Sequence, residues 1–266
     1  MLFGHPVGHS WSPFIHGLFA RQAGHDIDYR LRDVEPRQFR GAVIEFFVEG
    51  GRGCNVTVPH KQAAAEVVNE LTARAARAGA VNTITVQDGD RLLGDNTDGA
   101  GLVTDLADNL GVPLEGARIL LLGAGGAVRG VLAPLLQRRP ALVVLANRTE
   151  ERAAQLAAEF GALGRLEASS FADVGGGWNL VVNGTSASLS GEVPDLGPDA
   201  IAPDTVCYDM AYGRAETPFL RWARERGALH RHKGWGMLVE QAAEAFRLWR
   251  GVRPETAGVI AALAAA

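Results

Sequence analysis

Residues 118–130 read Arg-Ile-Leu-Leu-Leu-Gly-Ala-Gly-Gly-Ala-Val-Arg-Gly, and this stretch carries the clearest structural signal of the chain. Four apolar residues in a row, 119–122, predict a strand that is buried on both faces, as in a parallel sheet. A helical pattern follows at 127–138. Strand, glycine turn and helix together are typical of a dinucleotide site, in which the backbone of the turn and the helix N-terminus meet a pyrophosphate. An ordinary turn without a ligand is the alternative. The fingerprint normally has Gly or Ala where this chain has Val128.

The next apolar strand indicates which dinucleotide is bound. Residues 142–146 are apolar and lead into Asn147-Arg-Thr-Glu-Glu-Arg152. An NAD site normally has an acidic residue at this strand tip to hold the ribose hydroxyl, but here Arg148 occupies the tip and Arg152 follows one helical turn later. Guanidinium groups donate paired hydrogen bonds to phosphate oxygens, so the sequence predicts NADP as cofactor. Incidental arginines on a solvated helix start are the alternative.

Composition excludes several classes of function. The chain has 266 residues, is 47% hydrophobic and carries a net charge of −4, which favours neither nucleic acid nor an anionic membrane as partner. Its apolar runs are far shorter than the roughly 18 residues of a membrane span. The first residues lack the charged segment that opens a signal peptide, so no signal peptide is expected. The two cysteines, Cys54 and Cys207, are expected to be reduced. We therefore expect a cytoplasmic protein that acts on a small molecule.

Alternating strands and helices from Arg118 onward predict a doubly wound parallel sheet of the Rossmann type. Further strands are expected at 163–167, 179–183 and 205–209. The first half predicts an α/β domain, with a helix start at Ser12 as N-cap, helices at 62–70 and 99–110, and a hairpin turn at 88–90. His230 and His232 are expected in a solvated basic turn. The expected domains are 1–101 for substrate binding and catalysis, 102–236 for NADP, and 237–266 as C-terminal helices packing back on the first domain.

Polar residues in the first half cluster at the ends of predicted strands, where ligands bind in α/β folds. Lys61 opens a predicted helix, a position that the helix dipole disfavours, which indicates a role other than helix stability. Such a set suits a small polyhydroxylated acid, although each member taken alone is more often a cap or turn residue. The cluster contains Ser10, Ser12, Asn55, Thr57, Lys61, Asn82, Thr83, Asn96 and Asp98.

The chain resembles the shikimate dehydrogenase family over almost its whole length. The resemblance is carried by segments 4–16, 55–61, 94–99, 147–152 and 234–241. It implies reversible reduction of 3-dehydroshikimate to shikimate by NADPH, a step of aromatic amino acid (chorismate) biosynthesis. It also implies that Lys61 and Asp98 form the catalytic pair. Substrate contacts are implied for Ser10, Ser12, Asn55, Thr57, Asn82, Tyr212 and Gln241.

The resemblance also implies the residues that hold NADP. The pyrophosphate would lie on the glycine turn, the 2′-phosphate on the arginine segment, and the nicotinamide near the start of the C-terminal signature. Lys233, where the family often has Asp, and Val128 depart from the family pattern. The implied cofactor residues are Gly123, Gly125, Gly126, Ala127, Asn147, Arg148, Thr149, Arg152, Gly234 and Met237.

Alternatives remain open at this point. A quinate/shikimate dehydrogenase with relaxed specificity would share these motifs, as would a non-catalytic NADP-binding sensor. The retained Lys61 and Asp98 argue against the sensor, because a binding protein needs no proton donor there. His5 and His9 lack a metal-binding spacing, so no metal is expected. The sequence is compatible with a monomer or a homodimer.

Overall fold

The structure is a computed structural model, and it describes residues 1–185, 187 and 192–265. The chain divides into two compact units. The first contains Met1–Gly101 and Leu238–Leu263, and the second contains Leu102–Met237. Among the described helices, none combines the length and the apolar character needed to cross a bilayer.

The first unit is a mixed sheet with helices. Its sheet has the order β2-β1-β3-β5-β6-β4; β1 pairs in parallel with β2 and β3, whereas β5 is antiparallel to β3 and β6. The turn at Asp88–Asp90 joins β5 to β6, which confirms the predicted hairpin. The elements are β1 (Leu2–Gly4), α1 (Ser12–Ala23), β2 (Leu31–Asp33), α2 (Phe39–Val48), β3 (Gly53–Val56), α3 (Lys61–Val67), β4 (Glu70–Leu71), α4 (Ala73–Ala78), β5 (Thr83–Val86), β6 (Leu92–Asp95) and α5 (Asp98–Thr104).

The second unit is a fully parallel sheet, which confirms the predicted doubly wound fold. Its strand order is β12-β11-β10-β7-β8-β9. In β7, Ile119 and Leu121 pack into one apolar core and Leu120 and Leu122 into another, so the strand is buried on both faces as predicted. The elements are β7 (Arg118–Leu122), α6 (Gly126–Leu136), β8 (Leu142–Asn147), α7 (Glu150–Phe160), β9 (Leu166–Ser170), β10 (Leu180–Asn183), β11 (Val206–Asp209), α8 (Pro218–Glu225) and β12 (His230–Lys233).

Two C-terminal helices follow, α9 (Trp235–Arg250) and α10 (Ala257–Ala265). The part of α9 after Met237 packs within the first unit. The indole nitrogen of Trp249 donates to the carbonyl of Ile84 in β5 at 3.1 Å. Gly53 in β3 leaves room for this indole, because a Cβ there would lie 2.5 Å from Nε1 of Trp249. This contact fixes the end of α9 against the sheet of the first unit.

Several predicted elements were wrong in kind or position. His230 and His232 belong to strand β12, which pairs with β11, and not to a basic turn; burial lowers the pKa of His232. The helix predicted at 62–70 ends at Val67, and the next residues pair as β4 with β6. The strand predicted at 163–167 lies at Leu166–Ser170. By contrast, the helix predicted at 99–110 is confirmed: α5 covers Asp98–Thr104, and a π-helical turn, Asp105–Asn109, continues it.

Candidate active site

Lys61 and Asp98 form a close ion pair in the first unit. Each is the first residue of a helix, α3 and α5 respectively. Nζ of Lys61 lies 2.5 Å from Oδ2 of Asp98, and the two side chains are only 19% and 8% exposed. A carboxylate at the start of α5 is favoured by the helix dipole, whereas a lysine at the start of α3 is not. The nearby carboxylate explains how the lysine is tolerated there.

Asn82 lies at the centre of the polar cluster, just before β5. Its side-chain nitrogen donates to Oδ1 of Asp98 at 2.8 Å and lies 2.9 Å from Oγ1 of Thr97. The same nitrogen is 3.3 Å from Oε1 of Gln241 on α9. Asn82 is 2% exposed, so these bonds form away from bulk water, where they orient both Asp98 and Gln241 strongly.

The loop between β6 and α5 is held by its own polar residues. The backbone N–H of Asp98 donates to Oδ1 of Asn96, whose side-chain nitrogen donates to the carbonyl of Ala80. Both polar atoms of the Asn96 side chain are therefore hydrogen-bonded to the protein backbone. Arg74 contributes two bonds of 2.6 Å to the carboxylate of Asp95, and Thr72 donates to the same group. These contacts hold the backbone that presents Asp98.

The serine pair lies between β1 and α1. The hydroxyl oxygens of Ser10 and Ser12 are 3.1 Å apart, and the backbone N–H of Ser12 donates to Oγ of Ser10. The prediction that Ser12 is the N-cap was wrong. Trp11 holds that position, and Ser12 is the first residue of α1. Two adjacent hydroxyls at a helix start suit a carboxylate.

Asn55 lies in β3, and Thr57 directly follows this strand. The side-chain nitrogen of Asn55 donates to Oγ1 of Thr83 at 3.1 Å, and Thr57 is bonded to β1 through its backbone N–H and the carbonyl of Phe3. Tyr29 donates to Oδ1 of Asn55 at 2.7 Å. Sequence reasoning missed Tyr29, because the residues around it form no motif, and only the pairing of β1 with its neighbours brings it to β3.

The glycine turn in the second unit fits a dinucleotide pyrophosphate. Gly123 has φ of +105°, a conformation that side chains other than glycine rarely adopt. A Cβ at Gly125 or Gly126 would meet nothing within 4 Å, so the backbone at the start of α6 is open to a ligand. Ala127 follows in the first turn of α6, and Gly125, as N-cap, has no side chain to occupy the free N–H groups. These groups and the helix dipole favour an anion.

Val128 is accommodated without displacing α6. It is fully buried in the core of the second unit, and it faces Gly184 just after β10. A Cβ at Gly184 would lie 2.6 Å from Cγ2 of Val128. The absence of a side chain at Gly184 therefore supplies the room that a small residue at 128 would otherwise provide.

The arginine segment follows β8, as predicted. The side-chain nitrogen of Asn147 donates to the carbonyl of Thr149 at 2.8 Å, and this bond closes the turn before α7. Arg148 and Arg152 are both exposed at this end of the sheet. Two exposed guanidinium groups beside an ordered turn are chemically suited to a phosphate monoester.

The remaining predicted residues surround the start of α9. A Cβ at Gly234 would lie 2.4 Å from the carbonyl oxygen of Met210, so only glycine fits there. Met237 is buried, and the rings of Tyr212 and Trp235 lie 5.0 Å apart. Lys233 donates to the carbonyls of Gly213 and Arg214, both at 2.9 Å. Its ammonium group is thus committed to the loop after β11.

Three family models match successive parts of the chain. The shikimate dehydrogenase substrate binding domain family matches residues 2–84, the shikimate / quinate 5-dehydrogenase family residues 105–188, and the shikimate 5'-dehydrogenase C-terminal domain family residues 234–264. A shikimate dehydrogenase (NADP(+)) of Aeromonas hydrophila is 56% identical over 98% of this chain and 95% of its own length.

Solved structures resemble the chain over nearly their full length. An Ael1 enzyme from Pseudomonas putida is 44% identical, with a TM-score of 0.92 and coverage of 98% of this chain and 96% of that one. Shikimate 5-dehydrogenase from Thermus thermophilus, solved in complex with NADP(H) and shikimate, is 34% identical, with a TM-score of 0.84 and coverage of 98% and 97%.

Proposed function

The chain belongs to the shikimate dehydrogenase family, and from that premise we propose that it catalyses the reversible NADPH-dependent reduction of 3-dehydroshikimate to shikimate in aromatic amino acid biosynthesis. The observation that carries the proposal is the Lys61–Asp98 pair, with 2.5 Å between Nζ and Oδ2, held in place by Asn82. NADPH supplies the hydride when bound. The protein must then orient the ring and move one proton.

The proposed proton donor is Lys61. As an ammonium group it gives a proton to the C3 oxygen during reduction, and as an amine it takes that proton back during oxidation. Asp98 accepts a hydrogen bond from Lys61 and keeps Nζ in one position. The side-chain amide of Asn82 bonds the other oxygen of Asp98, so the carboxylate cannot rotate away from the lysine.

The proposed substrate contacts follow from the donors and acceptors of the first unit. The adjacent hydroxyls of Ser10 and Ser12 suit the substrate carboxylate. Amide and hydroxyl groups suit the ring hydroxyls, because each can donate and accept. We assign that task to Asn55, Thr57, Asn82 and Gln241, with Tyr212 bordering the substrate.

The proposed cofactor contacts lie in the second unit. The open glycine turn and the first turn of α6 suit the pyrophosphate, and the exposed arginines after β8 suit the 2′-phosphate. We assign the substrate and catalysis to 1–101, NADP to 102–236, and a return to the substrate domain to 237–266. The residues assigned to NADP are Gly123, Gly125, Gly126, Ala127, Asn147, Arg148, Thr149, Arg152, Gly234 and Met237.

We also propose that the protein works in the cytoplasm. Cys54 and Cys207 are both buried as free thiols, and burial raises the pKa of each to about 12. Thiols of this kind are typical of proteins from a reducing compartment.

The test is reduction of NADP by the purified protein with shikimate as substrate, followed by the ultraviolet absorbance of NADPH. We expect turnover with shikimate and NADP, and much less with quinate or NAD. Binding of NADP without turnover of either acid would instead identify a sensor. Equal turnover of quinate would identify an enzyme of relaxed specificity.

A further inference from the structure

Asn55 and Asn82 each carry an oxygen and a nitrogen that a rotation of the amide would exchange. Such a rotation would present an acceptor where a donor is required, and a substrate hydroxyl would meet the wrong group. Both side chains are buried, at 5% and 2% exposure. The orientation of each amide is therefore set by its hydrogen bonds to neighbouring protein groups.

The orientation of Asn82 is fixed by two partners that leave no choice. The backbone N–H of Thr97 can only donate, and it lies 2.9 Å from Oδ1 of Asn82. The carboxylate of Asp98 accepts, and its Oδ1 lies 2.8 Å from Nδ2 of Asn82. The opposite rotation would set two oxygens against each other and two N–H groups against each other.

The orientation of Asn82 in turn fixes the proton of Thr83. Oγ1 of Thr83 lies 2.9 Å from Oδ1 of Asn82, an oxygen that carries no hydrogen, so the hydroxyl must donate to it. A hydroxyl has one proton, so Oγ1 of Thr83 can only accept from its other neighbour, Asn55, at 3.1 Å. The nitrogen of Asn55 must therefore face Thr83, and the backbone carbonyl of Asn82 at 3.2 Å requires the same orientation.

Tyr29 completes the sequence of bonds. Oδ1 of Asn55 faces its hydroxyl at 2.7 Å and can only accept, so Tyr29 donates. Burial raises the pKa of Tyr29 well above its usual range, which keeps the phenol protonated. His16 stacks on the Tyr29 ring, with 4.3 Å between the ring centres. Burial lowers the pKa of His16 to about 3, so this ring is a neutral platform at ordinary pH.

We propose that Thr83 and Tyr29 are positioning residues, which hold the two amides in these orientations through a continuous hydrogen-bond chain from Tyr29 to Asn55, Thr83, Asn82 and Asp98. These hydrogen bonds maintain the amide orientation that faces the substrate hydroxyls. Thr83 is the central link of this chain, because its hydroxyl group is hydrogen-bonded to both amides. It is fully buried and reaches the substrate only through these amides. This inference rests on the proposed function, since its test measures the KM for shikimate.

The test compares Thr83→Val, which keeps the shape of the side chain and removes the hydroxyl, with Thr83→Ser, which keeps the hydroxyl. We expect Thr83→Val to raise the KM for shikimate about tenfold, since two buried amide groups each lose a partner. The KM for NADP should stay at the parent value, and Thr83→Ser should bind shikimate as the parent does. Tyr29→Phe, which removes the first donor, should also raise the KM for shikimate.

Several results would overturn the inference. Parent values of the shikimate KM in both Thr83→Val and Tyr29→Phe would show that the chain does not position the amides. An equal defect in Thr83→Ser and Thr83→Val would show that the methyl group, not the hydroxyl, matters. If Thr83→Val does not fold, Tyr29→Phe decides alone. A parent protein that does not oxidise shikimate would refute the proposed function. An active parent with unaffected variants would refute only the positioning role of Thr83 and Tyr29.

Discussion

Glu244, on α9, provides a test of how the first unit is stabilised. Its carboxylate accepts hydrogen bonds from Arg247 at 2.9 Å, from Arg74 at 3.1 Å and from Arg253 at 3.3 Å, and its side chain is 11% exposed. The hydrogen bonds from Arg247, followed by the charge of Arg74, lower the pKa of Glu244 from 4.5 to about 2. The folded state therefore strongly prefers the ionised carboxylate.

The lowered pKa of Glu244 corresponds to a contribution to the free energy of unfolding. The difference between 4.5 and about 2 corresponds to about 3 kcal/mol in full. Arg247 and Arg253 are 45% and 40% exposed, so solvent screens their contribution and we expect about 1–2 kcal/mol. Glu244→Gln keeps the shape and removes the charge. It should lower the free energy of unfolding by that amount at neutral pH.

The pH dependence of this difference has a definite sign. The pKa of Glu244 is lower in the folded state, so its stabilisation is present above pH 4.5 and is lost as the pH falls toward 2. The gap between parent and Glu244→Gln should therefore be largest at neutral pH and should shrink by more than half at about pH 3.

The measurement is denaturant unfolding of both proteins at neutral and acidic pH. Glu70→Gln is the matched control, because the Glu70–Arg91 pair is 47% and 58% exposed and should contribute less than about 1 kcal/mol. A gap between parent and Glu244→Gln that is equal at both pH values would refute the electrostatic reasoning. A gap no larger than that of Glu70→Gln would refute the magnitude.

Three further predictions concern catalysis and specificity. Lys61→Met should lower kcat by about 10²–10⁴-fold with NADP binding unchanged, and a variant that keeps more than about a tenth of the activity would remove Lys61 from proton transfer. Arg148→Ala should raise the KM for NADP at least about tenfold and leave that for NAD nearly unchanged, whereas equal use of both cofactors by the parent would contradict the role of Arg148. Shikimate should exceed quinate in kcat/KM, because quinate carries an extra hydroxyl beside the carboxylate that Ser10 and Ser12 would hold; comparable values would refute this.

The Rossmann-type fold of the second unit could be predicted because the sequence pattern that indicates it lies within one short segment. Residues 119–122 are apolar without interruption, and glycines follow at once, so the strand, the turn and the helix are visible in a short segment. The family was also identified correctly from short motifs. Strand β12 was missed for the opposite reason. His230–Lys233 has no apolar alternation, and what makes it a strand is backbone pairing with β11 at the edge of the sheet.

The residue types of the site were visible in the sequence, but their connections were not. Lys61 and Asp98 meet because α3 and α5 follow strands of one sheet, in which Thr83 pairs with Asp95 across β5 and β6. That register depends on non-local pairing, which a motif does not encode. The partners of Asn55 have the same origin, since Tyr29 is 26 residues away in the chain.

Two side chains of α9, those of Gln241 and Glu244, are connected to the residues that hold Asp98. Gln241 and Glu244 are three residues apart, so they lie on one face of the helix. Gln241 meets Asn82, while Glu244 accepts a bond from Arg74, which also binds both carboxylate oxygens of Asp95. Asp95 ends the strand that leads to Asp98. Helix α9 is thus linked to the Asp98 loop twice, through the contact of Gln241 with Asn82 and through the ion pairs of Arg74. Because both connections are partly buried, a shift of α9 would weaken both together. This coupling is a physical reason for Arg74 and Glu244, which lie outside the family motifs.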